Sequence, residues 1–530
     1  MPISDINKNR LILVYAIIVV IFFVIIFRLF QLSLLGDQVK VKGIYNFNNI
    51  SRRANIFDRN KILVATDLKT KSLYISSVLV KDPQSIAKGL VGVFPELSYN
   101  ELLRKIISGR NKKDWILIRR NVTPSQEDQV KDLKKAGLLF EEDSIRVYPQ
   151  KSIFSHLVGY VDLDRNGLAG IEMQYNKKLL RDEEDIELAA DIRVQDILED
   201  ELKNAIEEFR AQAASGLIMN VTNGEILAIS SLPSFDPNVQ FVANDNSRFN
   251  RVTGGVYELG SIFKIFTNAI AFDKNLVKIT DSFDVTNPIK YGRFTINDDH
   301  PFKGEMTVDE IFSHSSNIGT VQIAQKIGVE NQKEYFKKFG FLKKLNTEFP
   351  GLGKPIYPRS WRDINLYTIS YGHGIAVTPL HIATAAAAIV NGGILYDPSF
   401  LKLKESPEGE RIIKESTSMI MRDMMRKVVV EGTGKKADIE GYEVGGKTGT
   451  ANKVEGKGYN ERQTIASFLA VFPMSKPKYL VYVVLDHPNY SFNTGGMVSA
   501  PVAGRIIRNI APILDAYPVS SKNNNDQKNN

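Results

Sequence analysis

Four Ser-x-x-Lys tetrads occur in the 530-residue chain, at Ser85–Lys88, Ser261–Lys264, Ser399–Lys402 and Ser475–Lys478. A serine hydroxyl becomes a useful nucleophile only beside a base that takes its proton. A lysine is such a base only when it is neutral. Four occurrences make the spacing alone uninformative, so the setting must decide. Ser261 follows Gly260 and opens Ile262–Phe272, apolar on nearly every face, which predicts a helix at the centre of a domain. Three residues apart on a helix, Ser261 and Lys264 share a face. Burial disfavours the charged lysine and lowers its pKa. The unpaired N–H groups of a first helical turn suit a developing oxyanion. A capping serine followed by a snorkelling lysine would show the same four letters.

Ser-x-Asn also occurs four times, at Ser98, Ser315, Ser491 and Ser521. Ser315-Ser316-Asn317 lies between two helical signals, the first opened by a Thr307–Glu310 capping box and the second closing at Gly328. Its hydroxyl and amide groups could face a cleft, or simply make a polar turn. Lys447-Thr448-Gly449 occurs once, with Thr450 behind it and Gly445-Gly446 in front. Those glycines keep bulk away from an edge strand along which a substrate could lie, while the lysine and threonines offer charge and hydroxyls for a carboxylate. The six histidines form no HExxH pair, so no zinc site is expected, and the absence of cysteine excludes thiol catalysis and disulfides. A net charge of +8 spread over 68 basic and 60 acidic residues, without a basic cluster, gives no reason to expect nucleic acid.

These residues need a frame. Leu217–Val221 and Glu225–Ser230 flank Asn223-Gly224, which predicts a hairpin with a type I′ turn. Thr464–Phe472 and Tyr479–Leu485 predict a second strand pair, and Val308–His314, Ile318–Ile327 and Pro379–Val390 predict helices between the pairs. Strands at both ends of the segment with helices between predict an α+β domain over 205–516 whose termini share one antiparallel sheet. A last helix is expected to open at Ser499-Ala500-Pro501, with proline in its first turn. Residues 36–190 are charged and rich in short β segments, with helices expected over 98–107 and 125–136. Leu11–Phe27 is apolar and uncharged, and apolar character continues to Leu35, which predicts an uncleaved membrane anchor over 11–35 behind ten cytoplasmic residues. The polar tail 517–530 is expected to be disordered.

Ser-x-x-Lys, Ser-x-Asn and Lys-Thr-Gly in this order form the signature of class A β-lactamases and penicillin-binding proteins. The chain resembles a class B penicillin-binding protein, most nearly the division-specific, FtsI-like peptidoglycan D,D-transpeptidases. Further stretches carry the resemblance: Arg53–Lys61, Gly167–Glu172, Ser234–Asn238, Gly372-His373-Gly374 through Thr378-Pro379, and Gly495-Gly496 with Ser499-Ala500-Pro501. Ala54 and Lys61 stand where that family usually has glycine, and Leu259 where it often has proline.

The resemblance implies an elongated non-catalytic pedestal (a dimerisation-type domain) over 36–190 and a five-stranded antiparallel sheet flanked by helices. It implies that Ser261 attacks a stem peptide ending in D-Ala-D-Ala while Lys264 takes its proton. Ser315 would relay that proton, Asn317 would hold the donor amide, and Lys447 would help keep Lys264 neutral. Thr448, Gly449 and Thr450 would bind the substrate, with the backbone N–H groups of Ser261 and Thr450 forming the oxyanion hole. No cofactor or metal is implied. Implied partners are β-lactams as inhibitors, a membrane glycan polymerase and other division proteins, and the implied location is the inner membrane, single-pass, with the catalytic domain periplasmic. The hydrolytic glutamate of class A β-lactamases has no counterpart, since Phe349–Lys404 contains no glutamate. An elongation-type transpeptidase, a β-lactam sensor and an inactive structural division protein are the alternatives.

Overall fold

The structure, a computed structural model, describes residues 15–16, 18–27, 52–109, 115–181, 184–239, 246–292, 294–455, 458–489 and 493–518. Residues 15–16 and 18–27 are helical with exposed side chains. Among the described residues no helix is long and apolar enough to cross a membrane. Most of the rest of the expected anchor, and most of the expected tail, lie outside the described residues.

Two compact units emerge, one described over Lys69–Ile145 and the other comprising Arg52–Leu68 and Arg146 onward. Strand β1 (Leu63–Ser76), which enters the first unit at Lys69, pairs with β2 (Trp115–Val122) and with β3 (Leu138–Val147), which leaves it after Ile145. Helices α1 (Pro83–Val93), α2 (Tyr99–Gly109) and α3 (Pro124–Asp132) complete its core, with Ile86, Leu90 and Ile106 packed with Leu73 and Ile75. Helices therefore share this core with strands; α2 and α3 lie where helices were expected, and α1 is additional.

The expected pedestal range is divided because its flanks are tied together by buried charge. Arg53, fully buried, donates to Glu172 (2.6 Å) and to Asn176 (2.8 Å), while Arg146 donates to the other Glu172 oxygen (2.7 Å) and to Asp67 (3.2 Å). Such ions are tolerated in an interior only when fully paired, so 52–68 and 146–176 fold as one piece. Lys61, where the resembled family has glycine, adopts φ 65° and accepts the left-handed strain that glycine would avoid.

The second unit is built on a five-stranded antiparallel sheet of β4 (Ala213–Asn220), β5 (Ile226–Leu232), β6 (Gly445–Glu455), β7 (Gly458–Phe472) and β8 (Tyr479–Asp486), in the order β6-β7-β8-β4-β5. Both faces are covered, which explains why these strands read as apolar runs rather than as alternation. On one face lie α4 (Ile192–Phe209) and the C-terminal helix, whose Leu198, Val502 and Ile506 meet Ile218 and Phe468. On the other face lie α5 (Lys264–Asp273), with all ten residues buried, α6 (Val308–His314), α7 (Asn317–Lys338), α8 (Pro379–Val390) and α9 (Glu415–Val430).

Three local expectations change. The β4–β5 turn is not type I′: of its residues only Gly224 has positive φ (82°), and its N–H closes a wider turn onto Asn220 O at 2.9 Å. Gly328 (φ 75°, ψ 163°) closes the first segment of α7 where expected, but a second helical segment, not expected, follows it to Lys338. The last helix, α10, spans Gly495–Ile510 and takes Pro501 inside it. Its opening glycines are contact points, because a Cβ on Gly495 would lie 2.2 Å from Ser467 O.

Candidate active site

Ser261 sits in a 3-10 turn, Gly260–Phe263, that runs directly into α5. In a 3-10 turn residues i and i+3 eclipse, so Ser261 stacks over Lys264 more directly than on an α-helix. Gly260 (φ 55°) is required twice over: a Cβ there would lie 2.2 Å from Thr450 O, and Gly372 packs its own Cα face onto Gly260 O. The Ser261 turn is thus pressed against edge strand β6 on one side and the Gly372-His373-Gly374 turn on the other.

Lys264 is fully buried. Its Nζ donates to Ser315 O (2.6 Å), Asn317 Oδ1 (2.7 Å) and Ser315 Oγ (3.1 Å). No hydrogen bond joins it to Ser261 Oγ among the described residues. Burial brings its pKa down to about 7, opposed by Asp299 and Asp298, which favour the charged form. Lys447, equally buried, donates to Ser315 Oγ at 2.9 Å and lies over the Phe312 ring at 5.7 Å. Burial and then the charge of Lys264 hold it well below the ordinary lysine range. Both amines are thus held below the ordinary lysine range, Lys264 by burial and Lys447 by burial and the neighbouring charge of Lys264.

Ser315 caps α6 with φ 66°, and this left-handed turn aims its carbonyl at Lys264 and its hydroxyl between both amines. Asn317 is held at both ends, Oδ1 by Lys264 and Nδ2 by Asn297 O (3.0 Å). One N–H and one lone pair of its amide remain for a substrate. Thr448 Oγ1 pairs with Thr433 Oγ1 at 2.8 Å, and Thr450 Oγ1 accepts from Gly495 N at 3.1 Å. Gly449 allows close contact with the backbone leading into the Ser261 turn, since a Cβ would lie 2.6 Å from Leu259 O.

Ser261, Ser315, Thr448 and Thr450 line one cleft of about 640 Å³, joined by Asp298, Asp299, His373 and Thr433. Lys264 and Lys447 lie buried behind this lining, and Asn317 is part-exposed beside it. Sequence reasoning missed Asp298. Its carboxylate accepts from Ser316 Oγ (2.8 Å), Ile318 N (3.0 Å) and Asn317 N, and so caps α7 from outside. A cap supplied from 18 residues upstream has no spacing signature. Thr433 was equally invisible. Among the described residues no group of acidic or histidine side chains could hold a metal ion.

A serine stacked over a buried amine, with hydroxyl and glycine-rich groups around one cleft, is the apparatus of acyl transfer. Residues 214–508 match the penicillin binding protein transpeptidase domain and residues 49–189 the penicillin-binding protein dimerisation domain. The chain belongs to the penicillin-binding protein transpeptidase family. It is 37% identical over 482 residues to the probable peptidoglycan D,D-transpeptidase FtsI of Caulobacter vibrioides, covering 87% of this chain and 81% of that protein. It is 31% identical to the stage V sporulation protein D of Bacillus subtilis, covering 98% and 88%. A solved structure from Atopobium parvulum, described as a putative peptidoglycan glycosyltransferase, superimposes with a TM-score of 0.69 at 25% identity over 88% of this chain and 99% of that one.

Proposed function

We propose that this chain is a peptidoglycan D,D-transpeptidase that cross-links stem peptides through an acyl-enzyme on Ser261. The observation that carries this reading is the amine–hydroxyl–amine chain Lys264–Ser315–Lys447 buried behind the cleft that Ser261 lines. With Lys264 neutral, two of its contacts remain N–H donations to Ser315 O and Asn317 Oδ1. The third reverses, and the Ser315 hydroxyl donates to the nitrogen lone pair. Turning that lone pair to Ser261 Oγ removes the serine proton as oxygen attacks the penultimate D-alanine carbonyl, and Ser315 returns a proton to the departing D-alanine. The backbone N–H groups of Ser261 and Thr450 receive the oxyanion, a reading supported by the close approach of Gly260 to Thr450.

A terminal carboxylate at Thr448 and Thr450 lies near Lys447. Its charge raises the Lys447 pKa, and a proton on Lys447 in turn disfavours one on Lys264. Donor binding thereby favours a charged Lys447 beside a neutral Lys264. The amine of a second stem peptide then accepts the acyl group.

The apolar run 11–35 supports a single-pass inner-membrane anchor with residues beyond it periplasmic, and the resemblance to FtsI supports a septal role. Glycan strands must come from a membrane polymerase, for which the anchor and the 49–189 region are the docking elements we assign. The test is D-alanine release and cross-link formation on nascent glycan strands. Both are expected for the native protein and absent in Ser261→Ala. Penicillin labelling without cross-linking would favour a sensor.

A further inference from the structure

Lys264 opens α5 and Asp273 closes it. At the first end Lys264 Nζ meets Ser315, the cap of α6, and Asn317, the start of α7. At the other end Asp273 is 8% exposed, and its carboxylate gathers two further helices. Its Oδ1 accepts from Lys414 N (2.7 Å) and Thr417 Oγ1 (2.9 Å), and so caps α9 from outside, as Asp298 caps α7. Its Oδ2 accepts from the Tyr335 hydroxyl (2.5 Å) in the second segment of α7, and its carbonyl from Lys414 Nζ (2.6 Å). Burial, then the bond to Asp273, push the Tyr335 hydroxyl above its ordinary range, so it stays a donor.

Helix α9 carries this link back to the catalytic groups. Lys427 in its last turn pairs with Asp309 of α6. Beyond it Thr433 N donates to Ser313 O (3.2 Å), and a Cβ on Gly432 would lie 2.4 Å from that same carbonyl. Ser313 lies in the last turn of α6, just ahead of Ser315. The contacts close into a ring that runs from Lys264 along α5 to Asp273, through α9 and α6 to Ser315, and back to Lys264. A helix tied at both ends transmits a fault at one end to the other as a rigid element, over about 15 Å here. We propose that Asp273 is a positioning residue for acylation, setting from the far end of α5 where Lys264 stands between Ser315 and Asn317. This deepens the transpeptidase reading above. Donors meet both oxygens of the carboxylate, whereas an amide would offer only one.

Asp273→Asn and Tyr335→Phe test this in the full-length protein. The read-out is the rate of fluorescent-penicillin labelling across pH, at a temperature where circular dichroism shows the fold intact. Asp273→Asn should slow the plateau rate by roughly tenfold and Tyr335→Phe by about threefold. Both should move the midpoint to higher pH, because a looser Lys264 is better hydrated. The charged and titratable groups around Lys264, namely Asp298, Asp299, His373 and Lys447, stay in place in both variants. So does the Lys274–Glu334 pair (3.3 Å) beside Asp273. Leu198→Ala, a cavity on the other face of the sheet, is the control for lost stability and should keep the native midpoint. Native rate and midpoint in both Asp273→Asn and Tyr335→Phe overturn the proposal. So does a slowed rate at the native midpoint, which places the fault away from Lys264, and so does an equal shift in Leu198→Ala. Should Asp273→Asn fail to fold, Tyr335→Phe decides alone. Folded native protein that penicillin does not label overturns the transpeptidase reading, and this inference with it.

Discussion

Lys264 makes the pH dependence of Ser261 acylation a quantitative prediction. The residue acts as a base only when neutral, and burial brings its pKa to about 7. About one molecule in eleven then carries the neutral amine at pH 6, half at pH 7 and about ten in eleven at pH 8. The second-order rate of labelling by fluorescent penicillin, which does not itself titrate in this range, should rise about tenfold from pH 6 to 8 and then level off. A lysine with its ordinary pKa near 10.4 would give a rise of about 100-fold over the same interval, still climbing at pH 9. Asp299 is the leading group that favours the charged form, so Asp299→Asn should move the midpoint to lower pH. It should also raise the pH 6 rate relative to the plateau, by a small margin because Asp299 is exposed and screened. Stopped-flow labelling across pH 5.5–9.5 measures both curves. An unbroken rise through pH 9, or a midpoint moved upward in Asp299→Asn, would refute the assignment of Lys264 as a desolvated base.

Lys264 should also weaken the fold it serves. Its folded pKa of about 7 lies below the unfolded value, so the unfolded chain binds more protons between pH 7 and about 10.4 and native stability should rise with pH across that window. Lys264→Met should abolish labelling, flatten that rise and stabilise the protein at pH 7 by on the order of 1–3 kcal/mol in chemical denaturation, the desolvation relief outweighing three lost hydrogen bonds. Gly260→Ala combines left-handed strain of about 1–2 kcal/mol with an overlap on Thr450 O worth about 1–3 more. A denaturation midpoint unchanged from wild type would contradict that packing. Asp298→Ala leaves Ser316 Oγ, Asn317 N and Ile318 N without their acceptor, and should cost about 1–3 kcal/mol and slow labelling by loosening Asn317. Labelling at the wild-type rate would show that the cap does not position the site.

What the sequence disclosed and what it hid follow from the range of each interaction. The paired strands, the wholly buried helix after Ser261 and the three motifs are local patterns, and periodicity and composition reveal them. The turn at Asn223-Gly224 was misread because a dipeptide does not fix how many residues close a loop. The helix α10 opens four residues before Ser499, the start that proline's first-turn preference predicts, because Gly495 lets its first turn lie against β7. Asp298, Thr433 and the Arg53–Glu172 pairing join residues by 18, 15 and 119 positions, respectively, with no repeat to announce them. The state of Lys447 was least legible, since it depends on two amines meeting at one hydroxyl.

Everything rests on which side chain becomes acylated. Full-length protein incubated with penicillin, digested and sequenced by mass spectrometry should carry one penicilloyl adduct, on the peptide containing Ser261, and none in Ser261→Ala of unchanged melting temperature. An adduct on Ser85, Ser399 or Ser475, or an adduct that survives Ser261→Ala, would contradict the account.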